Sequence, residues 1–108
     1  MHLDGIILVE DDKIYKYLLV PRKRDDKSKL LGLLGFTKEN GEALRAALIE
    51  LAMTGDAVLD RTDRHGLSYR IVGELIGPTG AREFITIWMD RTEESNTYRF
   101  VTLKPVRG

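Results

Sequence analysis

Hydrophobic positions change their period halfway along the chain. Leu44, Ala47, Leu48 and Leu51 recur at i, i+3, i+4 and i+7, the spacing that gathers apolar side chains on one stripe of an α-helix. Thr37 is placed to cap this helix and Gly55 to stop it, and Ala, Leu, Glu and Arg dominate from Glu42 to Ala52, as helix propensity requires. Upstream, Ile14, Tyr17 and Leu18 mark one side of a helix opened by Asp11 or Asp12 and closed before Pro21. After a charged loop, Arg22 to Asp26, a second helix is predicted over Lys27 to Leu34, capped by Asp26 and stopped by Gly35 at the C′ position. Its Leu30, Leu31, Leu33 and Leu34 make it too apolar for solvent. Gly5 to Val9 reads as a short strand or an extended arm.

From Ala57 onward, β-branched and aromatic residues occur in short runs separated by turn signals. The breaks are Asp63-Arg64-His65-Gly66, Gly77-Pro78-Thr79-Gly80 and Glu93-Glu94-Ser95-Asn96. Four strands are predicted, near Ala57 to Thr62, Leu67 to Ile76, Ala81 to Asp90, and Tyr98 to Lys104. Short links favour antiparallel pairing. The expected fold is therefore α+β, with N-terminal helices packed on one face of a four-stranded antiparallel β-meander. At 108 residues it is read as a single domain, 1–108, with a helical part over about 11–54 and a sheet part over about 57–105.

Counting back from a turn centred on Pro78 and Thr79 sets Ile76 against Ala81, Val72 against Ile85, Gly73 against Phe84, and Glu74 against Glu83. The next turn sets Trp88 against Phe100 and Thr86 against Thr102. One face then carries Val72, Ile76, Ile85, Ile87, Met89, Val101 and Leu103, an aliphatic surface expected to form the core. Glu74 and Glu83 fall on that side too, as a like-charged pair that belongs at the solvated end of the hairpin. The other face carries Tyr69, Ile71, Phe84, Trp88, Tyr98 and Phe100 among Arg82, Thr86, Thr102 and Lys104. Rings stack bases and cations hold phosphates, so Tyr69, Phe84, Thr86, Trp88, Tyr98 and Phe100 are the candidate binding residues. The competing reading is that these aromatics pack, or meet a partner protein or a second copy of the chain.

Composition narrows the chemistry. Lys plus Arg and Asp plus Glu are both 17, for a formal net charge of zero, so any nucleic-acid contact must use a local patch. There is no cysteine, and the histidines are His2 and His65, which excludes thiolate catalysis and cysteine- or histidine-rich metal sites. No metal or cofactor is expected. Neither a signal peptide nor a membrane-length apolar run is present, so a cytoplasmic protein without membrane contact is the expectation. The run Arg22-Lys23-Arg24 is followed at once by Asp25 and Asp26, which makes a solvated loop of it.

Several motifs in this order resemble a family of short bacterial proteins known only as a domain of unknown function, also found as tails of polymorphic-toxin-like proteins. They are Tyr17-Leu18-Leu19, Lys27, Leu34-Gly35-Phe36-Thr37, Gly66-Leu67-Ser68-Tyr69-Arg70-Ile71, Gly77-Pro78-Thr79-Gly80, Trp88, and Thr102-Leu103-Lys104-Pro105. A helical start before a strand meander is also similar to the small ribonuclease fold of barnase-like, colicin-like and RelE-like toxins. The resemblance implies a toxin-like RNA-binding or RNA-cleaving domain that works without metal, paired with a small antitoxin-like protein. Such cleavage needs an acid or base and a cation for the phosphorane charge. His65 is the candidate acid or base, Lys27, Arg82 and Lys104 are candidate cations, and Thr102 completes the set. The alternative is a non-catalytic module that binds a protein or dimerises.

Overall fold

The computed structural model of the chain describes residues 1–24, 26–91 and 96–107. Its elements run β1 (Ile6–Leu8), α1 (Asp11–Lys13) continuing into a π-helical turn (Ile14–Leu18), α2 (Ser28–Leu33), a 3₁₀ turn (Lys38–Asn40), α3 (Gly41–Thr54), β2 (Ala57–Asp63), β3 (Gly66–Gly77), β4 (Gly80–Arg91) and β5 (Thr97–Pro105). Among the described residues the fold is α+β, with three α-helices and a mixed five-stranded sheet of order β1-β5-β4-β3-β2. The four-strand meander is present, and the Gly5 to Val9 segment adds a fifth strand, parallel to β5, with Ile6 beside Thr97 and Leu8 beside Arg99. The expected turn at Glu93-Glu94-Ser95-Asn96 and the Asp25 position fall outside the described residues, except Asn96.

Local signals explain the helix limits. Asp26 Oδ1 accepts from the Ser28 backbone N–H at 2.9 Å and from the Ser28 hydroxyl at 2.6 Å, so it caps α2 from two residues ahead of Ser28. Gly35, with φ +92°, takes the left-handed conformation that ends the helix. Thr37 and Asn40 form a capping box, but it starts the 3₁₀ turn that leads into α3. No side-chain bond caps α1 at Asp11 or Asp12.

The strand register agrees with the counted one across the Pro78–Thr79 turn: Ile76 with Ala81, Glu74 with Glu83, Gly73 with Phe84, and Val72 with Ile85. Which face is buried does not agree. Tyr69, Ile71, Leu75, Phe84, Thr86, Trp88, Phe100 and Leu103 lie against the helices, while Val72 and Ile76 are exposed. The reason is charge. Arg70, Glu74, Glu83, Arg99 and Lys104 share the aliphatic face, and no helix can cover that many ions without large desolvation cost. The Glu74–Glu83 pair stands opposite as counted, on the open face, with both side chains exposed.

The aromatic face closes because its polar groups satisfy one another. Trp88 Nε1–H donates to Thr86 Oγ1 at 2.8 Å, and the Thr86 hydroxyl donates to the Ile71 carbonyl at 2.8 Å. Trp88 meets Phe100 edge to face with centroids 5.4 Å apart, and burial of each such ring contributes roughly 1.5–3 kcal/mol. Leu44, Leu48 and Leu51 of α3 complete this core with Leu31 of α2 and Leu34 just after it. Leu33, by contrast, is 73% exposed, so α2 buries only one side of its leucine run.

Arg45 ties α3 to the N-terminal segment. It donates to the Val9 carbonyl and pairs with Asp11, and its Nε lies 2.9 Å from Glu42 Oε1. Tyr15 donates its hydroxyl to Glu42 at 2.6 Å. That hydrogen bond, with the Arg45 charge beside it, holds the Glu42 carboxyl below its ordinary range.

Two outcomes test this packing. Thr86→Val strands the buried indole N–H and is expected to cost about 1–3 kcal/mol in urea denaturation, with a coupling to Trp88→Phe of about 0.5–3 kcal/mol in the double-mutant cycle. Glu42 has a depressed folded-state pKa, so its contribution to stability is complete above its unfolded-state pKa and fades as pH falls through the folded one. The melting-temperature gap between wild type and Glu42→Gln should therefore be widest near neutral pH and shrink on acidification below the ordinary glutamate range.

Candidate functional site

With the aromatic side sealed by helices, the sheet surface left for a ligand is the opposite one. There a hollow of about 320 Å³ is lined by Asp60, Arg70, Ile85, Ile87, Thr102 and Lys104. Four neighbouring strands contribute. β2 supplies Asp60, β3 Arg70, β4 the two isoleucines and β5 the threonine and lysine. Arg70 stands across from Ile87, and Ile87 across from Thr102, so the hollow is one row of the open face, about 10 Å from Arg70 to Thr102 at ordinary strand spacing.

Two irregularities assemble it. The β4–β5 register shifts between Ile87 and Trp88, with Trp88 opposite Phe100 but Ile87 opposite Thr102. Val101 is the extra residue of this bulge, and it reverses the expected alternation. Phe100 and Leu103 both turn to the core, while Thr102 and Lys104 turn to the open face. The counted Thr86–Thr102 pairing is thereby corrected to Thr86 with Leu103. On the β2 side, the register shifts between Leu59 and Arg61, and Asp60 projects from that second irregularity.

The π-helical turn touches the hollow through Thr102. Ile14 and Leu18 are buried, and the turn closes with the Leu19 N–H on the Ile14 carbonyl at 3.1 Å. Lys13 Nζ donates to the Val101 carbonyl at 2.9 Å, and the Tyr17 hydroxyl shares a 2.8 Å hydrogen bond with Thr102 Oγ1. These contacts cover the edge of β5 beyond its pairing with β1. The Lys13 ammonium and the Arg22 guanidinium lie 5.5 and 5.2 Å from the Tyr17 ring centre, within cation–π range. Two motifs far apart in sequence, Tyr17-Leu18-Leu19 and Thr102-Leu103-Lys104-Pro105, thus meet side chain to side chain.

Of the residues singled out by sequence, Thr102 and Lys104 share the hollow. His65 sits exposed in the β2–β3 turn, its backbone N–H on Asp63 Oδ1 at 2.8 Å. Arg82 is exposed beside the β3–β4 turn, at the other end of the long hairpin and about 30 Å from His65 by strand rise. Lys27 is half-buried ahead of α2. None of these three lines the hollow. Tyr69, Phe84, Thr86, Trp88 and Phe100 are core residues with no surface to offer a base. Tyr98 is half-buried, edge to face with Tyr69 at 5.9 Å, and burial raises its hydroxyl pKa.

Asp60 and Arg70 went unrecognised in the sequence, Asp60 because a bulge presents it and Arg70 because it alternates with the aromatics. Neither Arg70 nor Lys104 makes an ion pair among the described residues. The hollow therefore offers two cations without ion pairs among the described residues, a hydroxyl and a carboxylate above an aliphatic floor. That set can hold an anion, with a proton acceptor beside it. Among the described residues no group of His, Cys, Asp or Glu is arranged to hold a metal, and no helix is long and apolar enough to cross a membrane.

No curated protein and no solved structure matches the chain. The family model for a domain of unknown function, DUF6883, matches residues 4–107. Covered almost from end to end by that model, the chain belongs to the DUF6883 family.

Proposed function

We propose that this chain is a toxin-like RNA-directed domain whose open sheet face grips the phosphodiester backbone. One observation carries the reading: Arg70 and Lys104, without ion pairs among the described residues, flank a hollow on the uncovered face together with Thr102 and Asp60. Phosphate contacts dominate the affinity of nucleic-acid binders, and a local pair of cations supplies them even in a chain of zero net charge. Arg22, beside the Tyr17–Thr102 pair, extends the cationic rim.

Cleavage without metal follows from the same groups. Asp60 takes the proton of a ribose 2′-hydroxyl, the 2′ oxygen bonds to phosphorus, the bond from phosphorus to the 5′ oxygen breaks, and Lys104 protonates that oxygen. Arg70 holds the charge that builds on the phosphoryl oxygens. Thr102, oriented by Tyr17, donates a hydrogen bond to the phosphate. These roles replace His65 with Asp60 as the base and Arg82 with Arg70 as the cation, because only the latter pair lines the hollow.

Fluorescence anisotropy with a labelled single-stranded RNA tests the binding. Affinity should fall with salt. Arg70→Ala/Lys104→Ala should weaken binding at least tenfold and flatten the log–log salt slope by about 1.4, the value for two lost contacts to a single strand. Asp60→Asn should leave binding in place and slow cleavage of the same RNA by about 100-fold or more. Wild-type protein that ignores RNA, or a double variant that binds it equally well, sinks this reading and leaves the non-catalytic interaction module.

A further inference from the structure

A second uncovered element lies away from the hollow. β3 pairs with β4 along its whole length, from Gly66 with Arg91 to Gly77 with Gly80. Its other edge pairs with β2 only as far as Ile71, opposite Ala57. From Val72 to Gly77 that outer edge has no strand partner among the described residues. Beside it runs a stripe of α3, Ala47, Glu50, Leu51 and Thr54, at the i, i+3, i+4, i+7 spacing of one helix side. The stripe, Glu74 and Ile76 enclose a groove of about 280 Å³.

A groove between a free strand edge and a helix is the geometry in which an extended peptide adds to a sheet, main chain to main chain, with side chains read alternately. The neighbouring edge shows what protection looks like. β2 carries a bulge after Leu59 and exposed Asp60, Arg61 and Asp63, devices that discourage strand addition. The Val72–Gly77 edge has no register shift, and its flanking Val72 and Ile76 are 44% and 69% exposed. Gly73 brings β3 close to α3, since a Cβ there would lie 3.0 Å from Leu51. A bulkier residue would push the helix stripe away from the groove.

Charge selects the occupant. Glu50 and Glu74 line the groove and Glu83 stands opposite Glu74, all three exposed and without an ion pair among the described residues. A second copy pairing edge to edge about the middle of this segment would set Glu74 against its own equivalent, with Glu50 and Glu83 of both copies close by, and like charges directly opposite are destabilising. We infer that the Val72–Gly77 edge and the α3 stripe form a strand-addition site for an extended protein segment carrying a basic residue opposite Glu74 and apolar residues opposite Val72 and Ile76. This inference is independent of the RNA reading, whose residues lie in the hollow.

The probe is a fluorescein-labelled peptide of valine, alanine, lysine, alanine and valine flanked by threonines, compared with its glutamate-for-lysine counterpart. The lysine peptide should bind at least tenfold more tightly. It should slow hydrogen exchange at alternate amides between Val72 and Gly77 and leave RNA binding unchanged. Glu50→Lys/Glu74→Lys, both at exposed positions, should reverse the preference. Equal affinity for the two peptides, no binding at about 1 mM, or protection confined to other residues overturns the inference. Protection of the same amides by concentration-dependent self-association also overturns it, in favour of a second copy.

Discussion

A tryptophan enters a core only when its indole N–H finds an acceptor that is itself satisfied. In this chain Thr86 provides that relay, receiving from Trp88 and donating to the Ile71 carbonyl. Threonine is the smallest residue that can do both while keeping a methyl for packing. The relay commits one face of β4 to the interior, and the pleat then commits the neighbours: Phe84 on the same strand, Tyr69 and Ile71 across from it, and Phe100 beside it. Most formal charges on the central strands are left on the other side, and Arg82 and Asp90, which share the aromatic side, stand at its two ends. The open face is thus a by-product of sealing the aromatic one.

Such a face would be an ordinary solvated surface without the two bulges. Regular alternation from Phe100 would carry Thr102 toward the core, and Lys104 with it. The extra residue at Val101 breaks the alternation once, so that Phe100 and Leu103 both pack and Thr102 and Lys104 both face out. The π-helical turn complements this. Its wider winding lets Ile14 and Leu18 share the core while Lys13 and Tyr17 reach the β5 edge. Irregular backbone therefore appears where β5 is covered and where the hollow is built, and the long β3–β4 hairpin is regular.

Legibility in the sequence follows the same division. The β3–β4 register could be counted because Pro78-Thr79 fixes a tight turn and each later pair follows by arithmetic. Helices α2 and α3 could be placed because Asp26, Gly35 and Thr37 are local signals whose partners lie within a few residues. The bulge at Val101 carries no glycine or other local mark, so Thr102 and Lys104 were assigned to the wrong face. The choice of buried face failed for a related reason: counting aromatics and aliphatics ignores the ions between them, and the ions decided it. Arg70 could have been found by asking which charged residues alternate with buried rings, whereas Asp60, presented by a bulge in a strand that buries only Ala57, carries no such mark. The pairing of β1 with β5 joins residues some 90 positions apart, and nothing in Gly5 to Val9 names its partner.

Zero net charge conceals a division of labour along the open side of β3. Arg70 sits at the level of the hollow, while Glu74, facing Glu83 and grouped with Glu50, lies about 13 Å further along the strand by its rise per residue. That distance exceeds the screening length at physiological salt, about 8 Å, and Lys104, opposite Ile85 and so level with Val72, stands between the two. A uniform mixture of the same residues would cancel locally as well as globally. Separation along one strand keeps Arg70 and Glu74 from neutralising one another. Balanced composition is thus no argument against electrostatic recognition, once the fold has sorted the charges.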